Sequence, residues 1–362
     1  MARTAVVRWT AWIAGVLVLG LLASWIWWRE SDTGARWRFD KAMETYCGGV
    51  LAHEKSPLFE GLWPGLELRN DRTVGRDAHA CLLGDHRREV TVALLRGEEL
   101  GSQDMEEILP PFGGSRLPMP LTGGWRGVAD GHSVRVLVGC QGSDDVVSVT
   151  IDSYISRTSD VQEARQEEES GWLEEDVYWA RFATATAVKA ATHWGCTTEG
   201  GKPLRALPPV TTEEPTTGAD GTCAGLPFGR DQRLDTVEET TAGDRGLYEM
   251  CKVGASHYFD ARYVFAAHFG PYALRARGGD STYDTHEQAG THDGTLWASA
   301  RCPGDSERAL FSGYVPPEAA TVWLPGEKGR ETFGLPAFRE FAERSAARHG
   351  CTDLRLPTAR TR

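Results

Sequence analysis

Hydrophobic and polar positions follow three different rhythms along this 362-residue chain. The first is a continuous apolar run, WTAWIAGVLVLGLLASWIWW, from Trp9 to Trp28, which carries no charge. Twenty residues of α-helix rise about 30 Å, the thickness of a hydrocarbon core. Trp9 and Trp12 sit near one end, and Trp25, Trp27 and Trp28 at the other. Indoles favour the headgroup boundary, so the run predicts a transmembrane helix with two aromatic belts.

The second rhythm is alternation. RREVTVALLR (87–96), HSVRVLVGC (132–140) and DVVSVTIDSYI (145–155) are rich in β-branched residues. Val134, Val136, Val138 and Cys140 fall on one face, as do Val147, Val149 and Ile151. Period two implies a sheet with one buried face. Gly142-Ser143-Asp144 reads as the turn of a hairpin. Further strands are expected at 246–253, 259–269, 294–302 and 307–314.

The third rhythm is helical. Val177, Ala180, Ala183, Ala187 and Ala191 recur through 172–194, behind the acids Glu174, Glu175 and Asp176 and ahead of a capping Gly195. A second helix is expected at 336–349, with Pro336 in its first turn, Phe338, Phe341, Ala342 and Ser345 inward, and Gly350 as its cap. The acidic run 167–169 reads as solvated surface. The Pro/Thr-rich stretch 207–221 reads as an extended linker that leaves its neighbours free to move unless they share an interface. The Gly/Pro-rich stretch 101–131 reads as a long loop.

Eight cysteines follow the apolar run, at 47, 81, 140, 196, 223, 251, 302 and 351. Their gaps, 34, 59, 56 and then 28, 51, 49, repeat in order, and so do their flanks. Cys47-Gly-Gly-Val matches Cys223-Ala-Gly-Leu; Cys140 and Cys302 end strand-like runs that begin after Asp130-Gly131 and Asp293-Gly294; Cys196 and Cys351 follow a helix and a glycine. The pattern predicts an internal duplication. An even count outside the cytoplasm argues for disulfides. The expected pairing is first with fourth and second with third in each set: Cys47–Cys196, Cys81–Cys140, Cys223–Cys351 and Cys251–Cys302. No Cys-x-x-Cys pair supports a zinc ribbon or a redox site.

Charge sets orientation. Arg3 and Arg8 precede the apolar run without an acid, whereas Arg29 is followed by Glu30 and Asp32. The positive-inside rule places the N-terminus in the cytoplasm and the bulk outside. The run exceeds a signal-peptide core and lacks a small-x-small site, so an uncleaved anchor is expected. A net charge of −12 disfavours nucleic acid as a partner.

Catalytic patterns are missing. There is no Gly-x-Ser-x-Gly, Ser-x-x-Lys, His-Glu-x-x-His or phosphate-binding Gly-rich loop. Tyr283-Asp284-Thr285-His286-Glu287 with His292-Asp293 is the best metal-binding stretch, since imidazole and carboxylate suit a first-row ion. A polar surface loop between two strands, with Asp293-Gly294 as its turn, is the expected reading, and the matching loop of the first half holds only Asp130 and His132. Trp63, Trp125 and Trp172 stand at loop or boundary positions and are expected in core or interface. No cofactor is expected.

Membrane anchor, tandem four-cysteine modules and a composition rich in Ala, Arg, Gly, Thr and Glu together resemble membrane-anchored proteins of Streptomyces-type actinobacteria. The resemblance holds at the level of architecture and carries no functional residue. The expected fold is α+β: a tail (1–8), a transmembrane helix (9–28), a stalk (29–45), module 1 (46–206), the linker (207–221) and module 2 (222–358). Each module is expected to hold an antiparallel sheet of about four strands and a C-terminal helix. The expected function is a tethered, non-catalytic extracytoplasmic protein. Its partners would be the bilayer, through the N-terminal helix, and a protein or cell-wall ligand. An extracytoplasmic hydrolase, metal-assisted through His286, His292 and Asp293, is the alternative.

Overall fold

The computed structural model describes residues 2–53, 67–74, 78–84, 88–97, 109, 117–130, 133–143, 145–155, 172–198, 200–209, 213–228, 234–254, 263–279, 287–314 and 333–358. The apolar run lies within helix α1 (Ala2–Glu30). Its stretch Trp12–Glu30 is long and apolar enough to cross a membrane and is not covered by the rest of the chain. The expected stalk is a second helix, α2 (Asp32–Met43), which leads through a 3-10 turn (Tyr46–Gly49) into the first sheet.

That sheet has strands β1 (Glu67–Val74), β2 (Ala78–Gly84), β3 (Arg88–Arg96), β4 (Met119–Pro120), β5 (Arg126–Ala129), β6 (Ser133–Gly139) and β7 (Val146–Ile155). All neighbours are antiparallel, in the order β1-β2-β3-β7-β6-β5-β4. Helix α3 (Trp172–His193) follows. The second sheet has β8 (Glu214–Pro215), β9 (Thr236–Glu239), β10 (Tyr248–Val253), β11 (Tyr263–His268), β12 (Gly290–His292), β13 (Thr295–Arg301) and β14 (Ala309–Tyr314). Its order is β12-β13-β14-β11-β10-β9-β8. Helix α4 (Pro271–Gly279) is inserted after β11, helix α5 (Leu335–Arg348) follows β14, and β15 (Thr352–Arg355) returns to pair with β13.

The two halves thus share one plan: two antiparallel meanders joined through a central pair, β3–β7 or β11–β14, then a helix. The chain is mixed α+β with two antiparallel sheets and four disulfides. Among the described residues seven strands form the first sheet and eight the second, β15 included, against the four expected in each. The strands missed include β4, β8 and β12, two or three residues long, too short to show a period.

The inward stripes are as expected. Val134, Val136, Val138, Val147, Val149 and Ile151 meet Ala180, Ala183, Ala187 and Ala191 of α3 in one core. Phe338, Phe341 and Ala342 of α5 meet Phe265, Ala298 and Phe311 in the other. Both helices end in the same glycine cap. Gly195 and Gly350 have positive φ (71° and 64°), and the next residue bonds back five positions, Cys196 N–H to Ala191 O and Cys351 N–H to Ala346 O, each at 2.8 Å.

The disulfides overturn the expected pairing. The bridges are Cys47–Cys81, Cys140–Cys196, Cys223–Cys251 and Cys302–Cys351, with Cα separations of 5.6, 5.1, 5.2 and 4.0 Å. Cys81–Cys140 and Cys251–Cys302 are ruled out by strand order. Two strands, β3 and β7 or β11 and β14, lie between β2 and β6 or β10 and β13. Three strand spacings amount to about 14 Å, twice what a disulfide spans. The first cysteine of each set instead lies over its first meander, and a carboxylate holds it there. Asp71, opposite Cys81 in register, accepts the Cys47 N–H at 2.9 Å. Glu239, opposite Cys251, accepts the Cys223 N–H, and also those of Asp220 and Gly221 at 2.9 and 2.8 Å.

The outward faces of both sheets carry the polar half of the alternation, which the sequence assigns to solvent. They are buried, because α4 lies between them. Tyr272 and Leu274 pack on Val128, Leu137 and Leu95 of the first sheet, while Ala273 and Ala276 pack on Trp297 and Leu310 of the second. The layers run α3, first sheet, α4, second sheet, α5. Arg126 meets Asp305 at 2.7 Å and Arg245 donates to Gly124 O at 3.2 Å, so the halves share an interface and do not hang from a free linker. Within 207–221, Glu214–Pro215 is an edge strand paired with β9.

Candidate functional site

The alternation that points valines at α3 points Ser133, Arg135, Ser148, Thr150 and Asp152 the other way, towards α4. Arg135, Ser148, Thr150 and Tyr272 are each at most 2% exposed. The Tyr272 hydroxyl and Thr150 Oγ1 are 2.9 Å apart, and the Arg135 guanidinium stands 5.4 Å from the Tyr272 ring centroid. Asp130 closes the β5–β6 hairpin by accepting the Ser133 N–H at 2.7 Å. From the second sheet comes His268, its ring tilted 59° to that of Tyr248 with centroids 4.9 Å apart.

Perturbed proton affinities gather here. Burial pushes the Asp152 carboxyl up to about 6; Arg135 opposes the rise and Asp130 adds to it. Burial pushes the His268 imidazole down to about 3, with Arg277 and Arg135 repelling its charged form. Burial also raises the Tyr272 phenol, against the pull of Arg135 and the Thr150 hydroxyl. Chemically the junction is a set of ionisable groups between two sheets, with Arg135 and Tyr272 buried and Asp152 and His268 partly so. Its central side chains would meet a substrate only if the sheets parted.

A second buried network pins α5 to its sheet. Glu249 on β10 is 1% exposed. It accepts Ser345 Oγ at 2.6 Å and Arg348 Nη2 at 2.8 Å, and lies 3.1 Å from His349 Nε2. His349 in turn stacks on Phe269 at 3.8 Å. Burial raises the Glu249 carboxyl, but hydrogen bonds and charge from His349 and Arg348 outweigh it, so the net shift is downward. Since Glu249 sits between serine and histidine, the histidine does not face the serine as a general base would.

The metal stretch read from the sequence is only partly described. His286 lies outside the described residues. His292 and Asp293 form the exposed β12–β13 turn, with His292 Nε2 3.4 Å from Asp293 Oδ2. Asp293 and Gly294 both have positive φ (43° and 87°), the hairpin geometry that Asp-Gly serves. Elsewhere, ligand atoms of Glu214, Asp220 and Glu239 lie within 4.8 Å of one another. Glu239 is already engaged by three backbone N–H groups. Cys47, His79 and Cys81 also cluster, but both sulfurs are bridged.

Trp125 is core, 7% exposed, with its indole N–H on Lys202 O at 2.8 Å. Trp63 and the Trp172 side chain lie outside what is described. Arg135, Asp152, His268 and Tyr272 escaped the sequence reading. Their one signal was a polar residue at each alternate position of a strand, which also marks a solvated face.

No protein-family model matches the chain, and no curated protein matches it. Among solved structures the chain is similar to the "di-domain ARO/CYC StfQ from the steffimycin biosynthetic pathway", at 13% identity over 80% of this chain and 88% of that one. The TM-score of 0.11 is too low to carry an argument.

Proposed function

We propose that the chain is a membrane-tethered extracytoplasmic protein whose body binds a protein or cell-wall partner without catalysis. The observation that carries this reading is a continuous path. An uncovered apolar helix ending in tryptophans runs through α2 into a body whose eight cysteines are all bridged. Disulfides persist in oxidising compartments, and the Arg3/Arg8 flank favours an inside N-terminus. The perturbed groups support a structural use, since Arg135 and Tyr272 are buried where the two halves meet. The shared strand plan supports an internal duplication, with two related surfaces for a partner.

Protease added to intact cells tests the location. A disulfide-bonded fragment carrying both halves should be released while residues 1–8 stay protected; full protection of the body would refute the topology. Cross-linking in intact cells tests the role, and the tagged protein should carry a wall polymer or protein partner. Turnover of an ester, peptide or glycan substrate by the purified protein would refute a non-catalytic role.

A further inference from the structure

The segment between membrane helix and body has its own architecture. Ser31 is extended (φ −77°, ψ 149°) and breaks the helix; its Oγ accepts the Gly34 N–H at 3.2 Å and donates to Trp28 O at 2.8 Å. Gly34 lies so close to the last turn of α1 that a Cβ there would overlap the Trp28 carbonyl oxygen. Arg38 donates to Arg29 O at 2.8 Å, capping the carbonyl end of α1. These contacts fix α2 at a corner.

The two faces of α2 differ. Phe39 and Met43, one turn apart, enter the core of the first half together with Tyr46, Val50 and Leu51. Gly34, Trp37, Arg38 and Lys41 share another face by their spacing of three and four. That face turns to the end of α1. The Trp37 ring is 5.4 Å from Trp28, Arg38 stands 6.0 Å over Trp28, and Lys41 stands 5.0 Å over Trp37. Arg29 stands 5.3 Å over Trp25. Asp32 and Asp40 fall outside this stripe. Trp37 is 51% exposed, beside Trp25 at 53% and Trp27 at 72%. A half-exposed indole flanked by cations, level with the tryptophan belt of a spanning helix, is the composition of a helix lying in a membrane interface.

We infer that α2 is an interfacial helix whose Trp37, Arg38 and Lys41 face binds anionic phospholipid headgroups, seating the body on the bilayer. The inference rests on α1 being the membrane anchor. The occupant follows from charge and continuity. In a chain of net charge −12, the stripe from Gly34 to Lys41 carries two cations and no acid, with Arg29 beside it at the end of the apolar helix and the acids Glu30 and Glu44 only at the ends of the two helices. Indole supplies the amphipathic wedge, and the guanidinium and ammonium groups the phosphate contacts.

Photocross-linking of the full-length protein in nanodiscs tests it. Trp37, Asp40 or Leu19 is replaced in turn by the photoreactive aromatic p-benzoylphenylalanine. In phosphatidylglycerol discs, irradiation should give phospholipid adducts at positions 19 and 37 and not at 40. Phosphatidylcholine discs should leave position 19 unchanged and lower the yield at 37. Lys41→Gln, an exposed change outside both cores, should lower the yield at 37 in phosphatidylglycerol about fivefold, the effect of one cation near a charged surface. A yield at 37 no higher than at 40, with 19 still labelled, would overturn the interfacial helix and leave the anchor standing. Equal yields at 37 in the two lipids would overturn the headgroup assignment. Absence of lipid on position 19 would overturn the anchor itself.

Discussion

Asp152→Asn should stabilise the protein above pH 7 and do little near pH 4. Asparagine has the shape of the protonated acid and cannot ionise. Burial between the sheets lifts the Asp152 carboxyl from 3.8 to about 6, with Asp130 adding to the rise and Arg135 holding it back. A raised folded-state pKa means the native state binds the proton more tightly. Its contribution is complete below the unfolded value and is lost as pH rises through 6. Proton binding tightened about a hundredfold corresponds to about 3 kcal/mol. For a body of this size that is about 5 °C in melting temperature at pH 8.

His268 works the opposite way. Its folded value, about 3, lies below the ordinary 6.5, so its contribution is present above 6.5 and is lost as pH falls. The two slopes oppose one another between pH 4 and 6, and the wild-type profile alone cannot separate them. The difference between Asp152→Asn and wild type cancels the histidine. Measured by urea unfolding from pH 4 to 8, it should rise from a small value at pH 4 to a plateau above pH 6, half complete near pH 5. A flat difference would refute the reasoning. So would destabilisation at pH 8, which would mean that the buried Arg135 charge needs the Asp152 carboxylate more than the carboxylate suffers from burial.

His268→Gln should unmask the Asp152 slope, read as a melting temperature that rises as pH falls from 6 to 4, where the opposed histidine and aspartate contributions cancel in the wild type. Glu249→Ala strips Arg348, His349 and Ser345 of their shared acceptor inside the protein and should cost about 3–5 kcal/mol by urea unfolding. The ionised carboxylate is favoured in the fold, so its contribution should fade as pH falls through its lowered value. Phe341→Ala, at a fully buried site between α5 and its sheet, should cost about 3–5 kcal/mol. Peptide mapping without reduction should recover Cys47 with Cys81 and Cys302 with Cys351. Replacing both Cys302 and Cys351 by serine opens a loop of 49 residues, worth about 4 kcal/mol of chain entropy.

What was legible in the sequence was whatever one residue's neighbours decide. Valine alternation on β6 and β7, the alanine stripe of α3 and the glycine caps depend on a local period or a single dihedral, and each was readable. Cysteine pairing was not, because it depends on which strands lie between, and β3–β7 adjacency is a long-range fact. Nor was α4 legible. PYALRARGG shows no one-sided stripe because it is used on two sides, Tyr272 and Leu274 towards one sheet, Ala273 and Ala276 towards the other. Without α4 the polar faces of both sheets read as solvated, so Arg135, Asp152 and His268 passed as surface. Serine, threonine and arginine at alternate positions carry the same pattern whether water or a second sheet covers them.

The wedge also changes what duplication can do. Two modules on a flexible linker would bind a repeated ligand with an effective concentration set by linker length. Here Tyr272 and Arg135 interlock across the sheets, Asp305 holds Arg126, and part of the expected linker is spent as strand β8. Corresponding surfaces of the two halves therefore stand at one fixed separation, and a partner engages both only if its own spacing matches. The corner at Gly34 extends the same constraint to α1, since α2 enters the core of the first half at one end and abuts α1 at the other. Among the described residues, α1 meets α2, α2 the first sheet, and the first sheet α4 and the second sheet through packing, an ion pair or a disulfide, so these elements are placed to move together.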